Sequence, residues 1–112
     1  MTPKTKQNKA LTYDGGKPPL ALLPWQAIRM VAMVQDYGRR KYKNSDNFRK
    51  GLEARRNASC ALRHIASWLD REDLDKESGE NHLAHAACRL LFILENISDG
   101  KLIDDRYDST KK

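Results

Sequence analysis

The residues best suited to chemistry are five carboxylates that fall within eight positions of an otherwise basic chain. This acidic segment, residues 70–77, separates two apolar helical patterns and is followed at once by histidines. Such dense negative charge is costly unless something neutralises it, and hard divalent cations take oxygen ligands. The sequence therefore predicts a divalent-metal site built on Asp70, Glu72, Asp73, Asp75 and Glu77.

Glu72 and Asp75 have the spacing that best suits shared ligation. They lie three residues apart, which in a helix or a helical turn places both carboxylates on one side, where they can hold one cation. Acidic side chains at the C-terminal end of the preceding helix also oppose its dipole, and a local rule broken without visible compensation is typical of a functional site. The alternative is a solvated acidic loop that supplies negative charge to the next helix.

All three histidines of the chain, His64, His82 and His85, lie near the acidic segment in the sequence. Imidazoles of this kind serve as metal ligands, proton carriers or hydrogen-bond donors to phosphate. Zinc is weakly supported, because no cysteine joins them at the spacing of a zinc finger. The alternative is that the histidines pair with nearby carboxylates, and the sequence leaves these roles open.

Three cations stand apart from the bulk positive charge. Lys17 lies in a Gly/Pro loop, Lys41 closes the first predicted helix, and Arg63 adjoins His64. A triphosphate needs such donors, and arginine offers a planar fork. The alternative for each of them is a solvated surface charge.

The elements that must position these residues are helices. Apolar residues recur at helical spacing over about Pro24–Tyr42, Leu52–Leu69 and Asn81–Asn96, and no segment shows sustained strand-like alternation. The third pattern covers most of the helix circumference, which predicts burial on nearly all sides. The predicted fold is all-α, a small helical bundle of three principal helices.

Length and composition suggest one domain whose core is completed by oligomerisation. Residues 1–12 read as a flexible basic N-terminal tail, residues 13–96 as the domain, and residues 97–112 as a polar C-terminal tail. The remaining core of roughly 85 residues is marginal for a monomer. We therefore expect a homo-oligomer, a dimer or a tetramer.

The net charge of +6 favours an anionic partner such as a nucleotide, a nucleic acid or an acidic protein. A nucleic acid is the less favoured of these, because the acidic segment interrupts any broad phosphate-binding face. Cys60 and Cys88 form no CxxC pair and are expected to be small buried side chains in a reducing compartment. No segment has the length of a membrane span or the character of a secretory signal, so we expect a cytoplasmic protein with no membrane partner.

Several short motifs follow one another in the order seen in a known family. The motifs are Gly16-Lys17-Pro18-Pro19, Leu22-Leu23-Pro24, Lys41-Tyr42, Asn47-Phe48, Leu62-Arg63-His64, Glu72-Asp73-Leu74-Asp75, Glu77-Ser78-Gly79 and His82-Leu83-Ala84-His85-Ala86. On them the chain resembles the phage-encoded dATP/dGTP diphosphohydrolase family, which is similar to the MazG-like all-α nucleotide pyrophosphatases. The resemblance covers about residues 15–95, and no single motif decides it.

The resemblance implies a hydrolase that uses Mg²⁺ or Mn²⁺ and cleaves dATP or dGTP to the monophosphate and pyrophosphate in the host cytoplasm. Water would attack the α-phosphorus, with the metal activating it and neutralising charge. By matching position, the implied catalytic residues are Glu72, Asp75 and His64, with Glu72, Asp75 and Glu77 as metal ligands. The implied substrate-binding residues are Lys17, Lys41, Asn47, Arg63, His82 and His85.

One departure from the MazG-like pattern keeps an alternative open. That pattern pairs ExxE on an early helix with ExxD on a later one, whereas the first helix here offers only Gln35 and Asp36. Either the metal shell is built differently, or the protein binds a nucleotide or cyclic nucleotide without turning it over.

Overall fold

Three helices dominate the fold, as the sequence predicts. The structure, a computed structural model, describes residues 10–111; residue 112 and residues 1–9, most of the predicted N-terminal tail, lie outside the described residues. The helices are α1 (Trp25–Tyr42), α2 (Ala54–Leu69) and α3 (His82–Ser98), so the all-α prediction is confirmed and each end lies within two residues of its predicted place. No helix in the described range is both long and apolar enough to cross a bilayer.

A minimal parallel sheet joins the beginning of α2 to the segment after α3. Its strands are β1 (Leu52–Glu53) and β2 (Leu102–Ile103), with Leu52 opposite Leu102. Two-residue strands are too short to produce an alternating pattern, so the sequence did not predict them. β2 lies in the polar segment 97–112 and attaches it to the start of α2, while the division of the chain into a domain and two tails stays a prediction.

The helices enclose a cleft, because α3 packs against both α1 and α2 while those two helices make at most marginal contact with each other. α3 is therefore the floor of the cleft. A small cluster of Val34, Ala84 and Cys88, with Val31 and Phe92 packed against it, holds α1 on α3.

The prediction that the third helix is buried on nearly all sides is wrong for the single chain. Leu83, Leu90, Leu94 and Ile97 are between 39% and 59% exposed and form one stripe along α3. In one chain, α1 and α2 cover only the opposite side of this helix.

Candidate functional site

The acidic segment begins at a sharp turn that ends α2. Arg71 adopts the left-handed conformation with φ 70°, and its amide donates to the carbonyl of Trp68 at 2.9 Å. The amide of Glu72 donates to the carbonyl of Ser67 at 3.0 Å, which completes a Schellman turn. Glu72 and Asp75 consequently lie in a loop, and helical spacing is not what places their carboxylates.

The loop between α2 and α3 fixes Asp75 in place. The amide of Asp75 donates to the carbonyl of Glu80, and the amide of Gly79 donates to the carbonyl of Asp75, both at 2.8 Å. Gly79 has φ 77°, a conformation that glycine adopts without strain. The Asp75 carboxylate accepts from the amides of Ser78 at 2.8 Å and Glu77 at 3.1 Å, both through Oδ2.

His64, His82 and His85 meet in space and are called here the histidine cluster. His64 is on α2, and the other two are in the first turn of α3, which begins after the cap Asn81. The rings of His64 and His85 stack with centroids 4.4 Å apart. Nδ1 of His64 lies 2.8 Å from Nδ1 of His82, which is only 4% exposed.

Hydrogen bonds to the outer nitrogens orient this cluster. Nε2 of His82 lies 3.1 Å from Oε1 of Glu72, and a carboxylate only accepts, so this nitrogen carries a proton. A neutral His82 then presents the lone pair of Nδ1 to His64. Nε2 of His85 lies 2.6 Å from the hydroxyl of Ser78.

The cluster and Asp75 together form a possible metal centre. His64, Asp75 and His82 each offer one ligand atom, and these three atoms lie within 4.8 Å of one another. Two imidazole nitrogens and one carboxylate oxygen suit Mn²⁺ and the later transition metals better than Mg²⁺, which prefers oxygen ligands. Glu72 approaches this centre through His82.

Glu77 has cationic and phenolic partners in the structure. Its carboxylate accepts from the hydroxyl of Tyr37 and pairs with Nζ of Lys41 at 2.9 Å. The hydrogen bond from Tyr37, then that from Lys41, holds the pKa of Glu77 below its ordinary value. A lysine of α1 thus neutralises this carboxylate, although the sequence suggested that a metal would.

A cavity of about 620 Å³ fills the cleft between α1 and α2, within the range of about 300–1,000 Å³ typical of small-molecule sites. Glu72 and His82 do not line this cavity. His82 contacts His64, which does line it, and Glu72 contacts His82. Neither Lys17 nor Arg63 lines the cavity. Lys17 lies in an exposed loop, and Arg63 is exposed and donates to the sulfur of Cys60 at 3.1 Å. The predicted site residues that line the cavity are Lys41, Asn47, His64, Asp75, Glu77 and His85.

Asn57 is a part of the site to which the sequence alone assigned no role, and it contacts Arg89, which lies on the same polar stripe of α3 as His82 and His85. Asn57 is 6% exposed and donates to the carbonyl of Glu53 at 2.8 Å. Its Oδ1 accepts from the guanidinium of Arg89 at 2.8 Å, and this holds a cation on the floor of the cavity. Asn57 precedes His64 by seven residues, a spacing that places both on one helix face and offered a signal for this residue.

Burial shapes the titration of the site. Burial lowers the pKa of His64 below 6.5, and the nearby His85 and His82 lower it further. Burial likewise lowers the pKa of His85, although Asp75 opposes this effect. For Asp75 itself, burial acts to raise the pKa, but hydrogen bonds from Ser78 and the charge of His85 outweigh burial and leave the pKa below 3.8.

These shifts predict that acid destabilises the metal-free protein. The unfolded state takes up protons on histidine near pH 6.5, whereas His64 and His85 resist protonation in the fold. Their stabilising contribution is therefore complete above about pH 6.5 and is lost as the pH falls through their lowered pKa values. Thermal unfolding in the presence of a chelator should show a falling melting temperature from about pH 7 to about pH 5. A constant or rising melting temperature over this window would contradict the assignment.

Comparison with known proteins identifies the family. The sequence model described as dATP/dGTP diphosphohydrolase, N-terminal, matches residues 7–106. The chain belongs to this family. The resemblance to the phage dATP/dGTP diphosphohydrolases is thereby confirmed, and its likeness to the MazG-like enzymes stays a prediction.

A phage protein is similar over most of the chain. It is named dATP/dGTP diphosphohydrolase, comes from Salmonella phage PMBT28, and is 33% identical over 96 residues. The matched region is 86% of this chain and 32% of the relative, so the chain spans about a third of the length of that protein. No solved structure matches the chain.

Proposed function

We propose that this member of the dATP/dGTP diphosphohydrolase family is a metal-dependent pyrophosphohydrolase that converts dATP or dGTP to the monophosphate in the host cytoplasm. The observation that carries the proposal is one cavity that brings together a potential metal centre and cations. His64 and Asp75 face the same space as Lys41 and Arg89. The name of the phage relative supports a purine deoxynucleotide as the substrate.

The cations of the cavity would hold the triphosphate. Arg89 is held by Asn57, and its guanidinium offers several donors to phosphate oxygens. Lys41 pairs with Glu77 in the free protein, and a phosphate would compete with that carboxylate for the ammonium group. Asn47 lies in the cavity wall, where an amide can bind the edge of a base or sugar.

The reaction would be the attack of water on the α-phosphorus. The bond from this phosphorus to the bridging oxygen breaks as the new oxygen–phosphorus bond forms, and pyrophosphate leaves. Mn²⁺ or Mg²⁺, when bound, supplies an acidified water and neutralises charge at phosphorus. His64, Asp75 and His82 would hold the ion, and His85, which stacks on His64 and whose pKa is lowered by burial, would be the imidazole that takes a proton from the attacking water.

A second candidate function is nucleotide or cyclic-nucleotide binding without turnover. It is favoured by the acidic content of α1, whose single carboxylate belongs to Asp36. This carboxylate pairs with Arg39 at 2.8 Å and with Arg40 at 3.5 Å, and Asp36 does not line the cavity. An early-helix carboxylate pair of the MazG-like kind is therefore not part of this site.

A nucleotide panel separates the two functions. The purified protein is incubated with each deoxynucleoside triphosphate and with Mn²⁺ or Mg²⁺, and the products are resolved by ion-exchange chromatography. We expect dAMP or dGMP together with an equal amount of pyrophosphate. Recovery of unchanged nucleotide from a stable complex would favour the binding function, and no reaction and no complex would refute both.

We also propose that the protein is a homo-oligomer, a dimer or a tetramer, that covers the exposed stripe of α3. Leu90 and Leu94 lie in the middle of this stripe. Replacing both by lysine should convert the oligomer into monomers, because charge cannot be buried unpaired in an apolar interface. Light scattering after size-exclusion chromatography measures the mass, and Leu62→Lys, on the exposed side of α2, is the control. A monomeric unmodified protein would contradict this proposal.

A further inference from the structure

We propose that His64, Asp75 and His82 bind a transition-metal ion through two imidazole nitrogens and one carboxylate oxygen, and that Glu72 orients His82 without touching the ion. This ligand set differs from the carboxylate set that the family resemblance implies. The inference rests on the proposed function only for what the ion does in the reaction. The binding of the ion itself is a separate claim with its own test.

Glu72 and His82 form a pair in which the carboxylate holds the ring. His82 is only 4% exposed, and its Nε2 is engaged by the carboxylate of Glu72 at 3.1 Å. Metal-binding histidines commonly donate their other ring N–H to a carboxylate, which fixes the tautomer and makes the ligating nitrogen more basic. Nδ1 of His82 therefore has the lone pair that an ion requires, whereas the Glu72 oxygen is already committed to the ring.

His64 points its Nδ1 at the Nδ1 of His82. The two Nδ1 atoms lie 2.8 Å apart, whereas two nitrogens on a tetrahedral zinc ion lie about 3.3 Å apart, given a metal–nitrogen distance of about 2.0–2.1 Å. The two rings would therefore have to move apart by about 0.5 Å to admit the ion between their Nδ1 atoms. His64 would then change tautomer: the proton that lies between the two Nδ1 atoms in the metal-free protein would pass through solvent to Nε2, and the neutral ring would ligate through Nδ1.

Asp75 is held by the loop through one of its two carboxylate oxygens. Both amide donors of the loop, Ser78 and Glu77, bind the same oxygen, Oδ2. Neither of these donors engages Oδ1, which leaves that oxygen to ligate. The loop thus holds the carboxylate rigidly by one oxygen and offers the other.

His85 lies beside the three proposed ligands, but it does not complete their coordination. His85 stacks on His64 at 4.4 Å, and the hydroxyl of Ser78 engages its Nε2. His85 therefore borders the centre and is not counted among its ligands. Three protein ligands leave at least one position for water or a phosphate oxygen, which is the pattern of catalytic metal sites. His64 and Asp75 both line the cavity, so that position is accessible from it.

The test uses the full chain, freed of metal with a chelator and titrated with Co²⁺ in the absence of nucleotide. We expect visible absorption from a protein-bound ion and displacement of Co²⁺ by Zn²⁺. Glu72→Gln should lower the affinity about 10- to 100-fold, since an orienting carboxylate contributes that much. His64→Gln and Asp75→Asn should lower it more, and Asp70→Asn, in the same acidic segment, should leave it unchanged.

A second measurement on the unmodified protein avoids any folding defect of the variants. In nitrogen-15 spectra of the histidine rings, Zn²⁺ should move the Nδ1 signals of His64 and His82 and leave that of His85 nearly in place. The inference is overturned if Co²⁺ produces no spectral change, if His85 alone responds, or if His64→Gln binds as tightly as the unmodified protein. Because no nucleotide is present, a failed hydrolysis assay leaves this result intact. Conversely, hydrolysis that survives in His64→Gln while Co²⁺ binding is lost would show that the ion at this site takes no part in the reaction, and the binding claim would stand.

Discussion

Replacing Asp75 by asparagine should reduce pyrophosphate release from dATP or dGTP by at least about 100-fold. A residue that only orients a metal ligand contributes about 10- to 100-fold, so removal of a direct ligand should cost more. Asparagine keeps the size of the side chain but removes the charge that faces His64 and His82. The measurement is kcat/KM at saturating Mn²⁺, with circular dichroism to verify the fold.

The control for this variant is Asp70→Asn, which changes the same chemical group in the same acidic segment. Asp70 caps the end of α2 and does not line the cavity, so its variant should keep the activity of the unmodified protein. Equal losses in both variants would mean that the overall negative charge of the segment matters and that a defined ligand does not. Full activity of Asp75→Asn would refute the metal centre as part of the reaction.

Replacing Asn96 by aspartate should destabilise the fold by about 3 kcal/mol or more, because a charge would be buried without a donor. Asn96 is 1% exposed, and its amide donates to the carbonyls of Phe48 at 3.0 Å and Phe92 at 2.8 Å. No group among residues 10–111 donates to its Oδ1. Aspartate therefore gains no hydrogen bond, and the carbonyls of Phe48 and Phe92 lose the side-chain amide that donates to them.

The free energy of unfolding in urea, at one protein concentration, measures this effect. Asn81→Asp is the matched control, because Asn81 is the N-cap of α3, its side chain accepts from the amide of Leu83, and aspartate caps helices equally well. The control should lie within about 0.5 kcal/mol of the unmodified protein. A similarly small change for Asn96→Asp would show that this buried bridge between α3 and the turn at Phe48 contributes little.

The helices were predictable because their signals are local. Apolar residues at helical spacing locate α1, α2 and α3 to within two residues, and Asn81 caps α3 as its side chain suggests. The pairing of β1 with β2 was not predictable, because it joins two-residue strands that lie far apart in the sequence. The exposure of Leu90 and its neighbours follows from how few elements pack on α3, which no local pattern encodes.

The candidate site was partly predictable for the same reason. His64, His82 and His85 lie near the acidic segment in sequence, and the loop brings them together in space. Arg63 adjoins His64 but does not line the cavity, because successive residues on a helix point about 100° apart. The partner of Glu77 is Lys41, which comes from a distant helix, so sequence proximity could not show that this carboxylate is already neutralised.

Hydrolysis of dATP or dGTP in water enriched in oxygen-18, with Mn²⁺ present, shows which phosphorus the water attacks. Mass spectrometry of the products locates the label. We expect one labelled oxygen in the deoxynucleoside monophosphate and none in the pyrophosphate. Label in the pyrophosphate, release of inorganic phosphate or triphosphate, or nucleotide that remains intact would contradict this expectation.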